Sequence, residues 1–129
     1  MDRNVKEFIK KLKKVPGFSN VEFIFLYGSQ ASGKANKMSD YDFAVYYDGN
    51  KKERFDFLIG ASFSEKFDVK IFQDLPLLVK KEVLGGRVIY AKDRGFVYGV
   101  VYQTIKDFEF FKRYYYDYIG LERIKWAII

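Results

Sequence analysis

Two aspartates one residue apart, Asp40 and Asp42, are the side chains of this sequence best suited to chemistry. They open a hydrophobic run that predicts a strand, and alternate residues of a strand face the same way, so the two carboxylates should project side by side. Neighbouring carboxylates repel each other unless a cation lies between them. Carboxylate oxygens with open positions around them suit Mg²⁺, which completes its coordination with waters and substrate phosphates. The pair therefore favours metal-assisted phosphoryl chemistry.

A glycine–serine turn, Gly28-Ser29, stands ten residues before Asp40 and directly follows another predicted strand, Val21–Tyr27. Gly28 lets the backbone approach a phosphate closely, and Ser29 offers a hydroxyl and an N–H group to it. If residues 30–35 begin a short helix, its first amides point at the same phosphates. A Gly-Ser turn and an Asp-x-Asp sequence are each common in solvated loops. Their order along the chain is what brings both to one edge of a sheet.

The composition excludes several classes of active site. The sequence contains no histidine and no cysteine, which removes Ser-His-Asp and Cys-His catalysis, histidine and thiolate metal sites, and disulfide frameworks. Any chemistry must use carboxylates, hydroxyls, lysines, arginines or a bound metal. The 129 residues, 49% hydrophobic and 31% charged, are typical of one soluble globular domain.

The charge and the hydropathy bear on partners and location. The net charge is +6, but the dense basic run at residues 10–14 is typical of a solvated helix face, so direct nucleic-acid binding is not expected. A nucleoside triphosphate or an acidic partner protein would suit a basic surface equally well. No run is long and apolar enough for a membrane span, and the N-terminus lacks the apolar stretch of a signal peptide, which together predict a cytoplasmic protein.

Hydrophobic periodicity predicts an α/β (α+β) fold, a small mixed sheet packed by helices. The predicted strands are residues 21–27, 40–47, 67–72 and 87–90, and the predicted helices are residues 5–15, 51–64 and 75–84. In the helix at 51–64, we expect Phe55, Leu58 and Ile59 to form the apolar side. With no repeat or linker, residues 1–129 are predicted to form a single domain. Its core would span about residues 1–92, followed by a long C-terminal helix at about 94–126.

The C-terminal helix is rich in aromatic residues. Eleven of the 26 aromatic residues of the chain lie between Phe96 and Trp126, more than one buried helix face needs. Two interpretations stand side by side. The rings cover the sheet while the tyrosine hydroxyls reach water, or they form a partner-binding surface, because tyrosine and tryptophan are enriched at interface cores.

The pattern Gly-Ser, ten residues, Asp-x-Asp resembles the signature of the DNA polymerase β-like nucleotidyltransferase superfamily. Its small prokaryotic members, the minimal nucleotidyltransferases (MNT), often serve as the antitoxin partner of a HEPN-domain toxin. The resemblance covers about residues 21–90 and implies a nucleotidyltransferase fold with a third carboxylate on a later strand. Asp68, in the β-prone run Phe67–Phe72, supplies that carboxylate. Without the first motif, Asp68 would be interpreted as a solvent-facing strand position, because Lys70 shares its face.

The resemblance also implies the roles of the site residues. Asp40 and Asp42 would bridge two Mg²⁺ ions, and Asp68 would complete the site of the ion that activates the acceptor hydroxyl and would accept its proton. The residues expected to bind the nucleotide, ATP, are Gly28, Ser29, Lys34 and Ser39. Ser39 precedes the first aspartate as in the family pattern and is equally an ordinary turn serine. A solvated loop position is the commoner role for Lys34.

For the antitoxin members of the family, the resemblance implies transfer of AMP from ATP to a tyrosine of the HEPN toxin, which silences the ribonuclease activity of the toxin. Three alternatives remain: a binding-only antitoxin that masks its toxin, a nucleotidyltransferase for a small molecule, and the addition of nucleotides to RNA ends. Many family members carry Ala-Arg-Gly where this chain has Ala31-Ser32-Gly33. The missing arginine puts the affinity for nucleotide or acceptor in question, whereas the three carboxylates are unaffected by it.

Overall fold

The computed structural model describes residues 2–33 and 40–128, with the backbone alone for residues 121–128. The helices are α1 (Arg3–Leu12), α2 (Ser29–Ser32), α3 (Lys51–Ala61), α4 (Leu77–Leu84) and α5 (Arg94–Ile128). The strands are β1 (Val21–Tyr27), β2 (Tyr41–Tyr47), β3 (Phe67–Ile71) and β4 (Arg87–Ala91), and short 3-10 turns occupy Phe18–Asn20 and Phe72–Asp74. The mixed α/β fold with a long C-terminal helix, expected from the sequence, is confirmed.

Strands β1 to β4 form one mixed sheet in the order β3-β2-β1-β4. β1 pairs antiparallel with both β2 and β4, whereas β2 and β3 run parallel. A parallel pair needs a crossover connection, which α3 provides. Because β1 runs against β2 and β3, the C-terminal end of β1 and the N-terminal ends of β2 and β3 meet at one edge of the sheet. The polar side chains described below lie at this edge.

Apolar side chains cover both faces of the sheet. On one face, α1 and α3 pack against β2 and β3 around Phe8, whose ring stacks on Phe43 with the centroids 3.7 Å apart. On the other face, Phe23 of the central strand packs with Val83 of α4 and Val97 of α5. The strands therefore carry apolar residues on both sides, and polar residues reach the sheet only at its edges and ends.

The buried side of α3 differs from the sequence prediction. Two of the three residues expected to face the core, Phe55 and Ile59, are 60% and 59% exposed, and Phe57 and Ala61 are buried instead. The cause is tertiary, because Tyr47 of β2 sets the orientation of this crossover helix. The Phe57 ring stacks on the Tyr47 ring with the centroids 4.6 Å apart. A short helix with apolar residues on several sides does not reveal this choice in its sequence.

The first turns of α5 lie on the sheet, where Val97 and Thr104 are buried. From residue 109 to 118 every side chain is exposed. This aromatic segment of α5 contains Phe110, Phe111, Tyr114, Tyr115, Tyr116 and Tyr118. The interpretation that its rings cover the sheet is therefore wrong, and a partner-binding role stays a prediction. No helix within the described ranges is long and apolar enough to cross a membrane.

Candidate active site

Three polar side chains stand in one row across the edge where β1, β2 and β3 meet. Tyr27, the last residue of β1, is the register partner of Asp42 on β2, and Asp42 is the register partner of Asp68 on β3. The residues on either side of Asp42, Tyr41 and Phe43, are buried in the core beneath α1. Strand alternation therefore turns the carboxylate of Asp42 to the opposite face, the one that α4 and α5 cover. The structure thus brings together two of the three carboxylates singled out in the sequence.

The two carboxylates of this row interact strongly. Burial raises the pKa of Asp42 above its usual range, and the negative charge of Asp68 raises that pKa further. A hydrogen bond to Asp68 and the charge of Asp40 act in the same direction, whereas the charge of Lys70 lowers the pKa of Asp42. Like charges held this close are stabilised by a cation. The oxygen-only donor set fits Mg²⁺, which prefers carboxylates and shares its shell with phosphates.

Asp40 stands outside this row. It precedes β2 and is exposed, so the strand geometry that orients Asp42 does not orient Asp40. As placed, no three acidic side chains among those the structure describes gather closely enough to hold a metal ion. Asp40 nevertheless lies near enough for its charge to raise the pKa of Asp42. Of the predicted three-carboxylate site, the structure assembles Asp42 and Asp68 and leaves Asp40 at their flank.

Gly28 has a structural role that the sequence did not reveal. Its φ is +76°, and a Cβ atom built on it would collide with Oδ2 of Asp42 and lie 3.3 Å from Cγ. The carboxylate of Asp42 therefore occupies the space that a side chain at position 28 would need. We predicted that a glycine here lets a phosphate approach, and the structure adds that it lets the aspartate approach.

Helix α2 is a single turn that begins at Ser29, directly after Gly28. The N–H groups of Ala31 and Ser32 both donate to the Gly28 carbonyl oxygen over 3.2 Å. These two bonds close the single turn of the helix directly after Gly28. The predicted short helix at residues 30–35 is thus present as Ser29–Ser32, beside the carboxylate row. The predicted nucleotide-binding residues Lys34 and Ser39 lie outside the described residues.

A cleft of about 320 Å³ separates α2 from the turn between α4 and β4. Its lining consists of Gly28, Ser29, Ala31, Ser32, Glu82, Gly85 and Gly86. A Cβ atom on Gly86 would collide with the Leu26 carbonyl oxygen and lie 2.9 Å from Cα of Tyr27. Only glycine lets this turn lie directly on the end of β1. The cleft begins at Gly28, next to Asp42, and is of the size of a small-ligand site.

Sequence reasoning missed Tyr27, Glu82 and the part that Lys70 plays. Burial, followed by the charges of Asp42, Asp68 and Glu82, raises the pKa of Tyr27 to about 12. Tyr27 therefore keeps its proton and can donate a hydrogen bond beside the carboxylates. Its sequence signal was weak, because it ends an apolar run as an ordinary strand residue does. Glu82 comes from α4, and only the tertiary fold brings it to the cleft.

Hydrogen bonds of four residues connect the starts of β2 and β3 to the N-terminal end of α1. The hydroxyl of Tyr41 donates to Oδ2 of Asp2 over 2.7 Å and accepts from Nδ2 of Asn4 over 3.0 Å. Lys66, which precedes β3, donates from Nζ to Oδ1 of Asn4 over 2.8 Å. The Tyr41 N–H also donates to the Lys66 carbonyl oxygen over 2.9 Å. Tyr41, which all but one of these bonds involve, lies between Asp40 and Asp42 in sequence, so the bonds fix the strand that carries Asp42.

Comparison with known proteins gives three consistent findings. The family model described as "Polymerase beta, Nucleotidyltransferase" matches residues 4–95. A protein of Methanocaldococcus jannaschii named "Putative protein adenylyltransferase MJ1547" is 36% identical over 66 residues, which are 51% of this chain and 52% of that protein. The match therefore spans about half the length of that relative.

Solved structures share the fold. A chain of a crystal structure of a toxin–antitoxin complex with AMP-PNP aligns with a TM-score of 0.65 and 18% identity, over 84% of this chain and 89% of that chain. A chain of a complex between a tri-AMPylated Shewanella oneidensis HEPN toxin and an MNT antitoxin aligns with a TM-score of 0.60 and 16% identity, over 84% of this chain and 86% of that chain. At these identities the likeness concerns the fold.

Proposed function

Because this chain belongs to the polymerase beta nucleotidyltransferase family, we propose that it transfers AMP from ATP to a hydroxyl acceptor with the help of two Mg²⁺ ions. The observation that carries the proposal is the register that sets Asp42 beside Asp68 at the Gly28–Ser29 turn. We further propose that the acceptor is a tyrosine of a HEPN-domain toxin, which makes the chain an antitoxin that acts by AMPylation. The relative named as a protein adenylyltransferase and the fold neighbours in toxin–antitoxin complexes support this acceptor.

The carboxylates would hold the metal, with Asp42 and Asp68 as the central pair and Asp40 at their flank. When bound, Mg²⁺ neutralises the carboxylates and the phosphates and makes the acceptor hydroxyl more acidic. Asp42 is the more enclosed of the pair, and Gly28 packs directly against its carboxylate. Asp68 is half-exposed on its strand. Asp42 is therefore suited to hold the metal, and Asp68 is suited to meet the acceptor hydroxyl.

The chain would bind the triphosphate of ATP through the Gly28–Ser29 turn, along the wall of the cleft. The acceptor oxygen then attacks the α-phosphorus, and the bond from that phosphorus to the pyrophosphate oxygen breaks. Asp68 takes the proton of the acceptor hydroxyl, because its exposed carboxylate can be reached by an acceptor and can pass the proton on to water. Tyr27 stays protonated beside the row. The products are the AMP ester of the acceptor and pyrophosphate.

A partner protein would reach the site from its open side. Asp68 lies on the exposed edge strand of the sheet, where a tyrosine of another protein can approach it. The exposed aromatic segment of α5 offers a surface for a helical partner, because aromatic side chains supply large contact areas.

The test uses ATP labelled at the α-phosphate, Mg²⁺ and a cognate HEPN-domain toxin. We expect label on the toxin with the unaltered protein and none with Asp42→Asn or Asp68→Asn. Asp48→Asn is the matched control, because Asp48 follows the far end of β2 and is exposed, and it should leave labelling unchanged. Tight complex formation with no label in any reaction would contradict the enzymatic proposal and favour a binding-only antitoxin.

A further inference from the structure

Lys70 stands on the same face of β3 as Asp68, two residues further along the strand. Its Nζ lies 3.7 Å from Oδ2 of Asp68, and both side chains are about half-exposed, at 49% and 47%. The charge of Lys70 also lowers the pKa of Asp42, which the neighbouring carboxylates raise. One ammonium group thus serves as counter-charge for both members of the carboxylate pair.

The register explains why the lysine can serve both residues. Lys70 is paired with Ala44 of β2, the residue that follows Asp42 on the same face. Ala44 is small, so its side chain leaves room for the lysine to approach Asp42. A lysine carries its charge on a flexible four-carbon stem with rotatable donors. The ammonium can therefore move over several ångströms without any change in the strand.

A divalent cation on Asp68 and the ammonium of Lys70 carry like charges, so each disfavours the other at this carboxylate. We propose that Lys70 competes with the divalent cation for Asp68, and that the displaced ammonium then binds the phosphate groups of the nucleotide. This inference rests on the proposed function, since it takes Asp68 as a metal ligand. Lysine is a general partner of phosphate as a mobile point charge. Metal binding and nucleotide binding would thus be coupled through one side chain.

The proposal predicts opposite effects on two ligands. Removing the charge in Lys70→Met should strengthen Mn²⁺ binding about fivefold, the size expected for loss of one exposed competing ion pair. The same variant should bind a non-hydrolysable ATP analogue about tenfold more weakly at saturating Mn²⁺, because a charge-assisted hydrogen bond to phosphate is lost. Both affinities are measured by titration calorimetry on the full chain, so the test does not depend on turnover. A variant that is merely less stable would weaken both.

Two further variants make the result specific. Lys70→Arg keeps the charge and should leave Mn²⁺ affinity close to that of the unaltered protein. Lys52→Met removes the same charge from α3, where Lys52 is 87% exposed and contacts Asp56, and should change neither affinity. If Lys52→Met strengthens Mn²⁺ binding as much as Lys70→Met does, the effect is one of net charge and the proposal is wrong.

Failure of this inference can be distinguished from failure of the proposed function. If Mn²⁺ binds the unaltered protein, is lost in Asp42→Asn, and binds Lys70→Met with unchanged affinity, the metal site stands and the competition is refuted. If Mn²⁺ binds neither the unaltered protein nor any variant, or binds Asp42→Asn as well as the unaltered protein, the carboxylate pair is not the metal site. Both proposals are then overturned.

Discussion

Replacing Gly28 with alanine tests whether the turn packs directly against the carboxylate of Asp42. At φ +76° and ψ −155°, a non-glycine residue costs about 1–3 kcal/mol. The added methyl group also collides with Oδ2 of Asp42, and overpacking of this kind costs about 1–3 kcal/mol. We therefore expect Gly28→Ala to lower the free energy of unfolding by about 2–6 kcal/mol, measured by urea denaturation.

Gly33 provides a control with positive φ and no collision. Its φ is +75° and its ψ is 8°, in the left-handed region, and a Cβ atom there meets no described atom within 4 Å. Gly33→Ala should therefore cost only the backbone strain of a left-handed residue, about 1–2 kcal/mol. An equal loss in the two variants would show that the collision with Asp42 is absent and would refute the packing argument.

A double-mutant cycle isolates the collision itself. In Asp42→Ala the oxygen and Cγ are gone, and the remaining Cβ lies 3.6 Å from the added methyl group, an ordinary contact. Gly28→Ala should then cost at least about 1 kcal/mol less in the Asp42→Ala background than in the unaltered protein. Additive losses would mean that position 28 and Asp42 do not touch, and the site as described would be incorrect.

Three further predictions follow from the same geometry. The pKa of Asp42 in the folded chain lies above the ordinary value of 3.8, so the contribution of Asp42 to the free energy of unfolding should fall as pH rises from 3.8 through the folded-state pKa. Asp42→Asn removes this fall in stability, so the variant should be more stable than the unaltered protein at neutral pH, as measured by urea denaturation. Equal stability of the two proteins at every pH would contradict this prediction. Tyr41→Phe should lose about 1 kcal/mol of stability with the hydrogen bond to Asp2, and slow AMP transfer; unchanged transfer would refute a positioning role. Replacing Phe111 and Tyr115 with serine should weaken toxin binding in calorimetry at unchanged melting temperature. Tyr98→Ser, at an exposed residue of α5 outside the segment, should leave toxin binding unchanged.

Much of the fold followed from local sequence patterns. The strand Val21–Tyr27 has the predicted bounds, and the long helix begins at Arg94 as expected. Such elements are specified by alternation, periodicity and turn residues within a few positions of one another. The prediction of which side of α3 faces the core was wrong, because the ring of Tyr47, on a distant strand, decides that orientation. Local patterns carry no information of that kind.

The candidate site was predictable where a motif fixed both residue type and spacing. Asp42 and Asp68 are 26 positions apart in sequence, and only the parallel register of β2 and β3 makes them neighbours. The motif alone does not say that Asp40, before the strand, is oriented differently from Asp42. Glu82 reaches the site through tertiary packing, and no spacing in the sequence indicates it. The roles predicted for Lys34 and Ser39 stay predictions.

The most direct test of the central claim is the intact mass of a cognate HEPN-domain toxin after incubation with this protein, ATP and Mg²⁺. The account predicts a mass increase of one or more AMP groups, located on a tyrosine by fragmentation, and no increase with Asp42→Asn. An unchanged toxin mass, in a complex that forms equally well with the unaltered protein and with Asp42→Asn, would contradict it.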